Sequence, residues 1–390
     1  MIQSGTINKS LQINGNTYIK QTGARSGKNA FLLSLLMASA LLNFLITNSV
    51  VSLIIQFPVA LGLVAVNYRL FGKFEKLVML CGIVFIMVET VLYKDFGSSL
   101  TYLNSLVLII CFNNIALKRR HMSKIFIASS LLMLFFIVTA SRDGVYYVFI
   151  SGRQFNPNTI GILLFVALVL GVSGINNLFA TKMAKRVLGI ILFCVVVYLQ
   201  IQTAARTTLA AEIMYVLIVF VRNKVKIFKN EKHFKALIVF GFLVCLLIPV
   251  VYVALYNHMD GQSITILGKN LFTGRQNIWQ DAFRMIGENP IFGVGNEEKY
   301  IGNFESAHNS MLAIWKTSGA ILLILYVISF VIAKPKLAKQ VDIDLFMRCA
   351  IIPVIFIAAF ETILTDSNLY VFALLPILNK VIVRRKAYDK

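Results

Sequence analysis

Charge, proline and acid are all scarce in this chain. Of 390 residues only 14% are charged, seven are proline, and 17 Asp and Glu face 38 Lys and Arg. With 58% hydrophobic residues and a mean hydropathy of +0.78, a soluble domain of this size is excluded, because it could not hide so much apolar surface. The five cysteines (Cys81, Cys111, Cys194, Cys245 and Cys349) all fall inside apolar runs, which argues against a disulfide framework or a cysteine metal site. The first 29 residues have no apolar core. They read as a polar cytoplasmic tail rather than a cleaved signal peptide. No Walker-type phosphate loop and no dinucleotide fingerprint follow a strand, and Gly293-Val-Gly295 alone is a weak motif. No His, Asp and Glu spacing suggests a metal, no Ser or Cys nucleophile stands beside a base, and no cofactor is expected. No internal repeat is visible.

What the chain does have is long apolar runs. A bilayer core takes about 20 apolar residues per helix. By that length there are twelve candidates, at 30–47, 49–67, 77–93, 98–116, 124–141, 158–180, 186–202, 206–222, 235–256, 307–333, 345–365 and 367–383. The expected fold is all-α and polytopic, with about twelve transmembrane helices. Nine of them (residues 30–256) precede one large extracytoplasmic loop over 257–306 that contains short helices. Residues 307–390 supply the last three and a cytoplasmic tail.

A net charge of +21 could indicate nucleic acid, but its distribution does not. With both termini inside, 29 of the 38 Lys and Arg fall on cytoplasmic segments or cytoplasmic helix ends, eight lie outside, and Lys316 falls within a helix. Basic clusters recur at every second connection, as at Lys118/Arg119/Arg120 and Lys182/Lys185/Arg186. This is the positive-inside pattern of a multi-pass inner-membrane protein. Membrane lipid is the expected environment, and nucleic acid is not an expected partner.

Three larger polar features then face outward: Arg142 to Asn158, the turn Thr203-Ala-Ala-Arg206, and the 257–306 loop. In the loop, Thr273 and Gln276 have capping-box spacing and predict a short helix ending near Gly287 and Pro290. At about 100° per residue, Ile278, Trp279, Ala282, Phe283, Met285 and Ile286 share one arc with Arg275. Gln276, Asn277, Gln280, Asp281 and Arg284 take the opposite arc. Arg275 therefore points toward membrane or protein, either snorkelling or binding an anion. Arg284 reads as solvated.

His308 follows Ser306, a predicted N-cap, at the start of the tenth apolar run. A helix N-terminus disfavours imidazolium and attracts phosphate, so a neutral His308 there suits a general base beside a diphosphate. Its bland reading is an interfacial histidine. Arg206 opens the eighth run, where a helix repels cations and an anionic partner would be welcome. Arg142 sits at a helix C-terminus beside Asp143, which is comfortable without any ligand. Arg153, in Ser151-Gly-Arg153-Gln-Phe-Asn156-Pro157-Asn158, has no local reason for its charge.

Four ionisable groups, Glu89, Glu212, Lys316 and Glu361, lie within apolar runs and should face protein or water, since each costs about 2.5–3.5 kcal/mol at a helix centre. Lys316 follows His308 by about 12 Å of rise and 80° of rotation. It can line the same cavity or pair with Glu361 or Glu89. The six loop acids (Asp260, Asp281, Glu288, Glu297, Glu298 and Glu305) form no compact cluster in sequence.

A histidine, several arginines and a long loop outside the cytoplasm suit a substrate that arrives already activated, because nucleotide sugars and ATP are not available there. A glycan on a polyprenyl diphosphate fits. Guanidinium groups can bind its diphosphate bidentately without a metal, while His308 takes the acceptor hydroxyl's proton. No carboxylate is placed to form a glycosyl-enzyme, so inversion is expected.

The pattern Gly274-Arg275…Trp279…Asn289-Pro290…Gly293-Val-Gly295…His308-Asn309…Trp315…Gly319 resembles the outer loop of the bacterial O-antigen ligase and Wzy-type polysaccharide polymerase superfamily. The resemblance covers roughly residues 140–330. It implies a GT-C-related, metal-independent glycosyltransferase acting on undecaprenyl-diphosphate-linked oligosaccharide at the outer face. On this resemblance the catalytic set is His308, Arg275 and Arg206. The family's Gly-x-Gly matches Gly293 and Gly295; with Arg153, Arg142, Asn309 and Lys316, singled out by the residues themselves, they are the expected substrate-binding set. The family's Thr-x-Ser-Arg-Gly helix start appears here as Thr203-Ala-Ala205-Arg206-Thr207, with Ala for Ser and Thr for Gly.

Three functions are compatible with this sequence. A repeat-unit polymerase joins two lipid-linked glycans, and Asn156-Pro157-Asn158 resembles that branch. A ligase moves the glycan to lipid A core or another surface acceptor. A lipid-linked oligosaccharide flippase would instead place its ionisable groups mid-bilayer on paired broken helices. A separate flippase and a chain-length regulator are possible partners of a polymerase.

Overall fold

The computed structural model describes residues 25–42, 49–93, 96–140, 149–150, 153–154, 156–259, 265–266, 269–270, 274–296, 300, 306–332, 341–364, 366 and 369–382. These are overwhelmingly helical. Helix α1 covers 25–42, followed by α2 (Ser49–Asn67), α3 (Lys73–Tyr93), α4 (Phe96–Asn114), α5 (Arg119–Ala140), α6 (Pro157–Leu178), α7 (Lys182–Thr203), α8 (Arg206–Val221) and α9 (Glu231–His258). Then come the short loop helix α10 (Arg275–Glu288), the long α11 (Ser310–Ile332), and the fragments α12 (Leu345–Cys349), α13 (Ile351–Ala358) and α14 (Tyr370–Leu374). Seven helices among the described residues are long and apolar enough to cross a membrane. The protein is an integral membrane protein.

Which runs are lipid-facing follows from their composition. Exposed apolar side chains crowd α3, α7 and α9, as Val91, Met183, Tyr198, Phe240 and Val251 illustrate. By contrast α4 and α6 lie in the middle, with Leu106 to Phe112 and Ile160 to Leu170 buried. Helix α4 can carry Asn104, Ser105 and Asn113 because each finds a partner inside the bundle. Asn104 donates to the Tyr370 hydroxyl (2.5 Å), Ser105 meets the Tyr326 hydroxyl, and Asn113 donates to the Ser329 carbonyl (3.3 Å). Buried polar groups hold their place only when paired in this way.

The last two predicted spans take a different form. Over 345–365 the chain breaks at Ala350 and again after Ala358, where it turns through 359–364. The described residues of 367–383 form α14, a 3₁₀ turn (Leu375–Ile377) and the strand β7 (Lys380–Ile382), not a continuous spanning helix. Pro376, which cannot donate a helical hydrogen bond, falls in that 3₁₀ turn. The segment is apolar because Val371 to Leu375 are buried against protein.

Strand β7 pairs in parallel with β1 (Leu117–Lys118) and antiparallel with β6 (Val341–Ile343). These strands gather the connections at one end of the bundle. Asp344 caps α12 there and accepts from Ser173 and Asn177 of α6 (2.6 Å each). The hairpins β2–β3 (Phe149–Ile150, Arg153–Gln154) and β4–β5 (Thr265–Ile266, Lys269–Asn270) belong to the connections preceding α6 and α10, at the other end. We call this the loop end.

Candidate active site

At the loop end the starts of three helices and one turn converge on a single carboxylate. Glu361 lies in the turn after α13, with a side chain only 10% exposed. Its Oε1 accepts from Arg275 Nη2 (3.1 Å) at the start of α10 and from Asn158 Nδ2 (2.9 Å) in the first turn of α6. Its Oε2 stands 3.2 Å from His308 Nδ1, just before α11. The arginine and histidine are 22% and 25% exposed, so they are reachable yet held from the protein side. With Nδ1–H donated to the carboxylate, Nε2 keeps a free lone pair.

Each member is placed by its local sequence. Helix α10 starts after Gly274, whose positive φ (+87°) lets the chain turn in, and its first residue is Arg275. Gly274 stands at the N-cap position, and Thr273 of the predicted capping box lies outside the described residues. The predicted apolar arc is buried: Ile278, Trp279, Ala282, Met285 and Ile286 all pack inside, with Phe283 partly covered. On the supposedly wet arc, Gln276 and Asp281 are buried as well. Arg284 is exposed and bound to Asp281 (2.9 Å) and Glu288 (2.5 Å). The hydrogen bond and charge of Asp281, with those of Glu288, push the Arg284 guanidinium above its ordinary value.

The residues around His308 are fastened one by one. The Ser306 hydroxyl bonds Thr362 (3.0 Å) and accepts the His308 amide (3.2 Å). The Ala307 carbonyl accepts Trp279 Nε1 (2.7 Å), with Trp279 fully buried edge-to-face against Tyr252. Asn309 is the N-cap of α11 through Leu312 N (2.9 Å), displacing the predicted Ser306. Its amide donates to the carbonyls of Cys245 (2.8 Å) and Ala359 (3.0 Å), and Ser310 donates to the Glu361 carbonyl (2.7 Å). Within this frame His308 adopts φ +46°, the left-handed region a non-glycine residue rarely occupies. Its neighbours over-determine that conformation, as at sites where strain serves function.

Deeper along α11 the helix is broken at Gly319 (φ +73°, ψ −177°), a conformation open only to glycine. Residues 290–295 dock into the break. Val294 and Gly295 donate to the carbonyls of Lys316 (2.9 Å) and Thr317 (3.0 Å), and Ala320 donates to the Pro290 carbonyl (2.9 Å). A Cβ on Gly293 would lie 2.4 Å from the Thr317 carbonyl oxygen, and one on Gly319 would lie 2.0 Å from that of Ile291. Lys316 donates to the Gly295 carbonyl (3.0 Å) beneath the Tyr300 ring. Gly293, Gly295, Lys316 and Asn309, all expected to bind substrate, therefore spend their contacts on protein here. Glu89, on α3, accepts from Ser318 (2.5 Å).

Arg206 is exposed at the start of α8, following Ala204 in a left-handed turn (φ +53°). That turn is locked by Gln200, whose amide donates to the Ala205 carbonyl (3.0 Å) and the Thr208 hydroxyl (2.5 Å). Thr208 and Ala205 press on Gly161 of α6, which is three residues past Asn158. Arg206 is thus exposed, and its neighbours Ala205 and Thr208 pack on the helix whose start donates to Glu361. Arg142 lies outside the described residues, as does the side chain of Arg153, whose backbone is in β3.

Sequence reading took Glu361 as a carboxylate inside an apolar run and a candidate partner of Lys316; it did not foresee the contacts with Arg275 and His308, and it missed Asn158 as a donor. The pairing could not be seen because the run containing Glu361 reads as one helix. The break after Ala358 is what frees its carboxylate to reach His308 and Arg275.

The protein is thus a membrane-embedded helical bundle with a histidine and an arginine on a shared carboxylate at one end. Residues 187–327, from α7 into α11, match the family model described as O-antigen ligase. The match agrees with the resemblance that the motifs carry to the O-antigen ligase and Wzy-type superfamily. The matched stretch contains Arg206, Arg275, Gly293, Gly295, His308, Asn309 and Lys316, whereas Asn158 and Glu361 lie outside it. No curated protein matches the chain.

Proposed function

We propose that this protein is a repeat-unit polymerase. In this reading it transfers a glycan from a polyprenyl diphosphate to the hydroxyl of a second lipid-linked glycan, at the outer face of the cytoplasmic membrane. The observation that carries the reading is the His308–Glu361–Arg275 constellation. His308 Nε2 takes the proton of the acceptor hydroxyl as its oxygen bonds to the anomeric carbon. The bond from that carbon to the diphosphate oxygen breaks, and the carrier diphosphate leaves as an anion. Glu361 holds the imidazole in the basic tautomer and offsets the charge it gains, as an acidic partner does for a catalytic histidine.

Arg275 spends one of its N–H donors on Glu361 and keeps others for the leaving diphosphate. Arg206, exposed nearby, is the second diphosphate ligand, and Arg153 and Arg142 are further candidates. Asn309, Lys316, Gly293 and Gly295 act by shaping the site. One attack at the anomeric carbon without a glycosyl-enzyme gives inversion. No metal takes part in the scheme.

The ligase reading is favoured by the description of the matching family model, and it uses the same chemistry with a different acceptor. The deciding experiment incubates purified protein with synthetic lipid-linked repeat units, without nucleotide and with chelator present. A ladder of longer products that vanishes in His308→Ala and Arg275→Ala establishes polymerase. Transfer only when a core lipid is supplied establishes ligase. Glycan export lost in His308→Ala with polymer synthesis intact points to a flippase.

A further inference from the structure

The Glu361 carboxylate makes a choice that its two charged neighbours do not by themselves explain. An arginine fork facing a lone carboxylate ordinarily takes both oxygens in parallel. Here Arg275 takes only Oε1, and Oε2 is left to His308. What distinguishes Oε1 is its second donor, Asn158 Nδ2 at 2.9 Å. The backbone that carries that amide is itself fixed. Asn156 caps α6 by accepting the Asn158 N–H (2.9 Å), and Pro157 is the first residue of the helix, its φ already set. The first turn of α6 is thus a rigid bracket that presents one N–H to Oε1. Arg275 arrives on the same oxygen from α10, partly over the Phe360 ring (5.8 Å).

We propose that Asn158 is a positioning residue, which holds the Glu361 carboxylate rotated so that Oε2 stays on His308 Nδ1 and is not drawn into a two-point pair with Arg275. The inference rests on the reading of His308 as the base. Removing the amide lets the carboxylate turn toward the guanidinium. The imidazole then loses the partner that selects the Nδ1–H tautomer, and Nε2 ceases to be uniformly available. The amide donates without adding charge, so it steers the carboxylate without competing with His308 or Arg275 for a proton.

The test is ¹⁵N NMR of histidine-labelled full-length protein, with the His308 signal identified by its loss in His308→Asn. It is run beside turnover of lipid-linked repeat units by wild type, Asn158→Ala and Asn158→Leu. The leucine variant keeps the side-chain volume should the alanine loosen the helix start. The expected result is a wild-type His308 held as the Nδ1–H tautomer. Both variants should show mixed tautomers and a kcat lower by roughly tenfold or more, with KM nearly unchanged, as befits a base that is present but mis-set. An unchanged His308 signal in a folded variant overturns the proposal, and so does wild-type turnover. A tautomer shift in a protein that extends no lipid-linked glycan refutes the polymerase reading alone and leaves the positioning role standing.

Discussion

His308 and Glu361 are 53 positions apart in the chain, yet imidazole Nδ1 and carboxylate Oε2 lie within 3.2 Å. Two devices bring them together. Ser310 donates to the Glu361 carbonyl, and Asn309 donates to the Ala359 carbonyl, so the start of α11 is tied to the turn after α13 through main-chain groups. The two side chains are therefore brought together by neighbouring bonds as well as by the attraction of the pair itself.

From this follows a graded series. His308→Ala removes the base and should lower kcat by about 10²–10⁴-fold with little change in KM, because general-base catalysis acts in the transition state. Glu361→Gln keeps the shape and loses the charge, and its loss should be smaller than that of His308→Ala. Steady-state kinetics with a lipid-linked repeat unit measures both. A glutamine variant that turns over like wild type would remove Glu361 from the mechanism.

Arg275 should show the signature of a leaving-group ligand. Arg275→Ala is expected to lose about 10²–10³ in kcat, the scale of one lost transition-state donor. Arg275→Lys should recover only part of it, since an ammonium keeps the charge without the planar fork. Donors whose diphosphate is replaced by a better leaving group should narrow the gap between wild type and Arg275→Ala. An equal gap for both donors would count against the assignment.

Trp279 carries structural weight only. It is fully buried, and its indole N–H satisfies the Ala307 carbonyl next to His308. Trp279→Phe keeps most of the packing and should cost about 1–3 kcal/mol for the stranded carbonyl, while Trp279→Ala should cost about 3–5 kcal/mol. Thermal unfolding in detergent, followed by size-exclusion, reads both. Equal stability of the three proteins would contradict the buried geometry.

Much of the helical scaffold was legible in sequence, because a 20-residue apolar run has few alternatives in a bilayer. The runs up to α11 each overlap a helix among the described residues, seven of them long and apolar enough to cross a membrane, though α4 is lined with Asn and Ser that only a central position explains. The last two runs misled for one reason: apolar composition reports burial, and Val371 to Leu375 are buried in protein while forming scarcely more than one helical turn. In the site, Arg275 and His308 stood out by local pattern. Glu361 and Asn158 did not, since their roles arise from a break after Ala358 and from contacts more than 200 residues apart in the case of Asn158. The capping residue of α11 was shifted. Asn309 does the work expected of Ser306, since a third-residue acceptor is settled by tertiary placement.

Glycine at 319 and 293 is predicted to be irreplaceable. Gly319→Ala would place a methyl carbon 2.0 Å from the Ile291 carbonyl oxygen, in a backbone conformation that already costs a non-glycine residue about 1–3 kcal/mol. Loss of monodisperse protein, or a lowered unfolding temperature with the loop opened to protease, is the expected outcome. Full yield and unchanged protease resistance would show that the chain tolerates another path there.

The stitching of residues 290–295 into α11 also bears on how this protein is made. Main-chain groups of α11 around Gly319 complete their hydrogen bonding only through a segment that leaves the ribosome before they do. As α11 passes sideways into lipid, its Lys316 and Thr317 carbonyls would meet hydrocarbon unless the earlier segment were already waiting for them. Loop and span must therefore mature together, and a nascent chain severed between them would carry a helix that neither membrane nor water could accept.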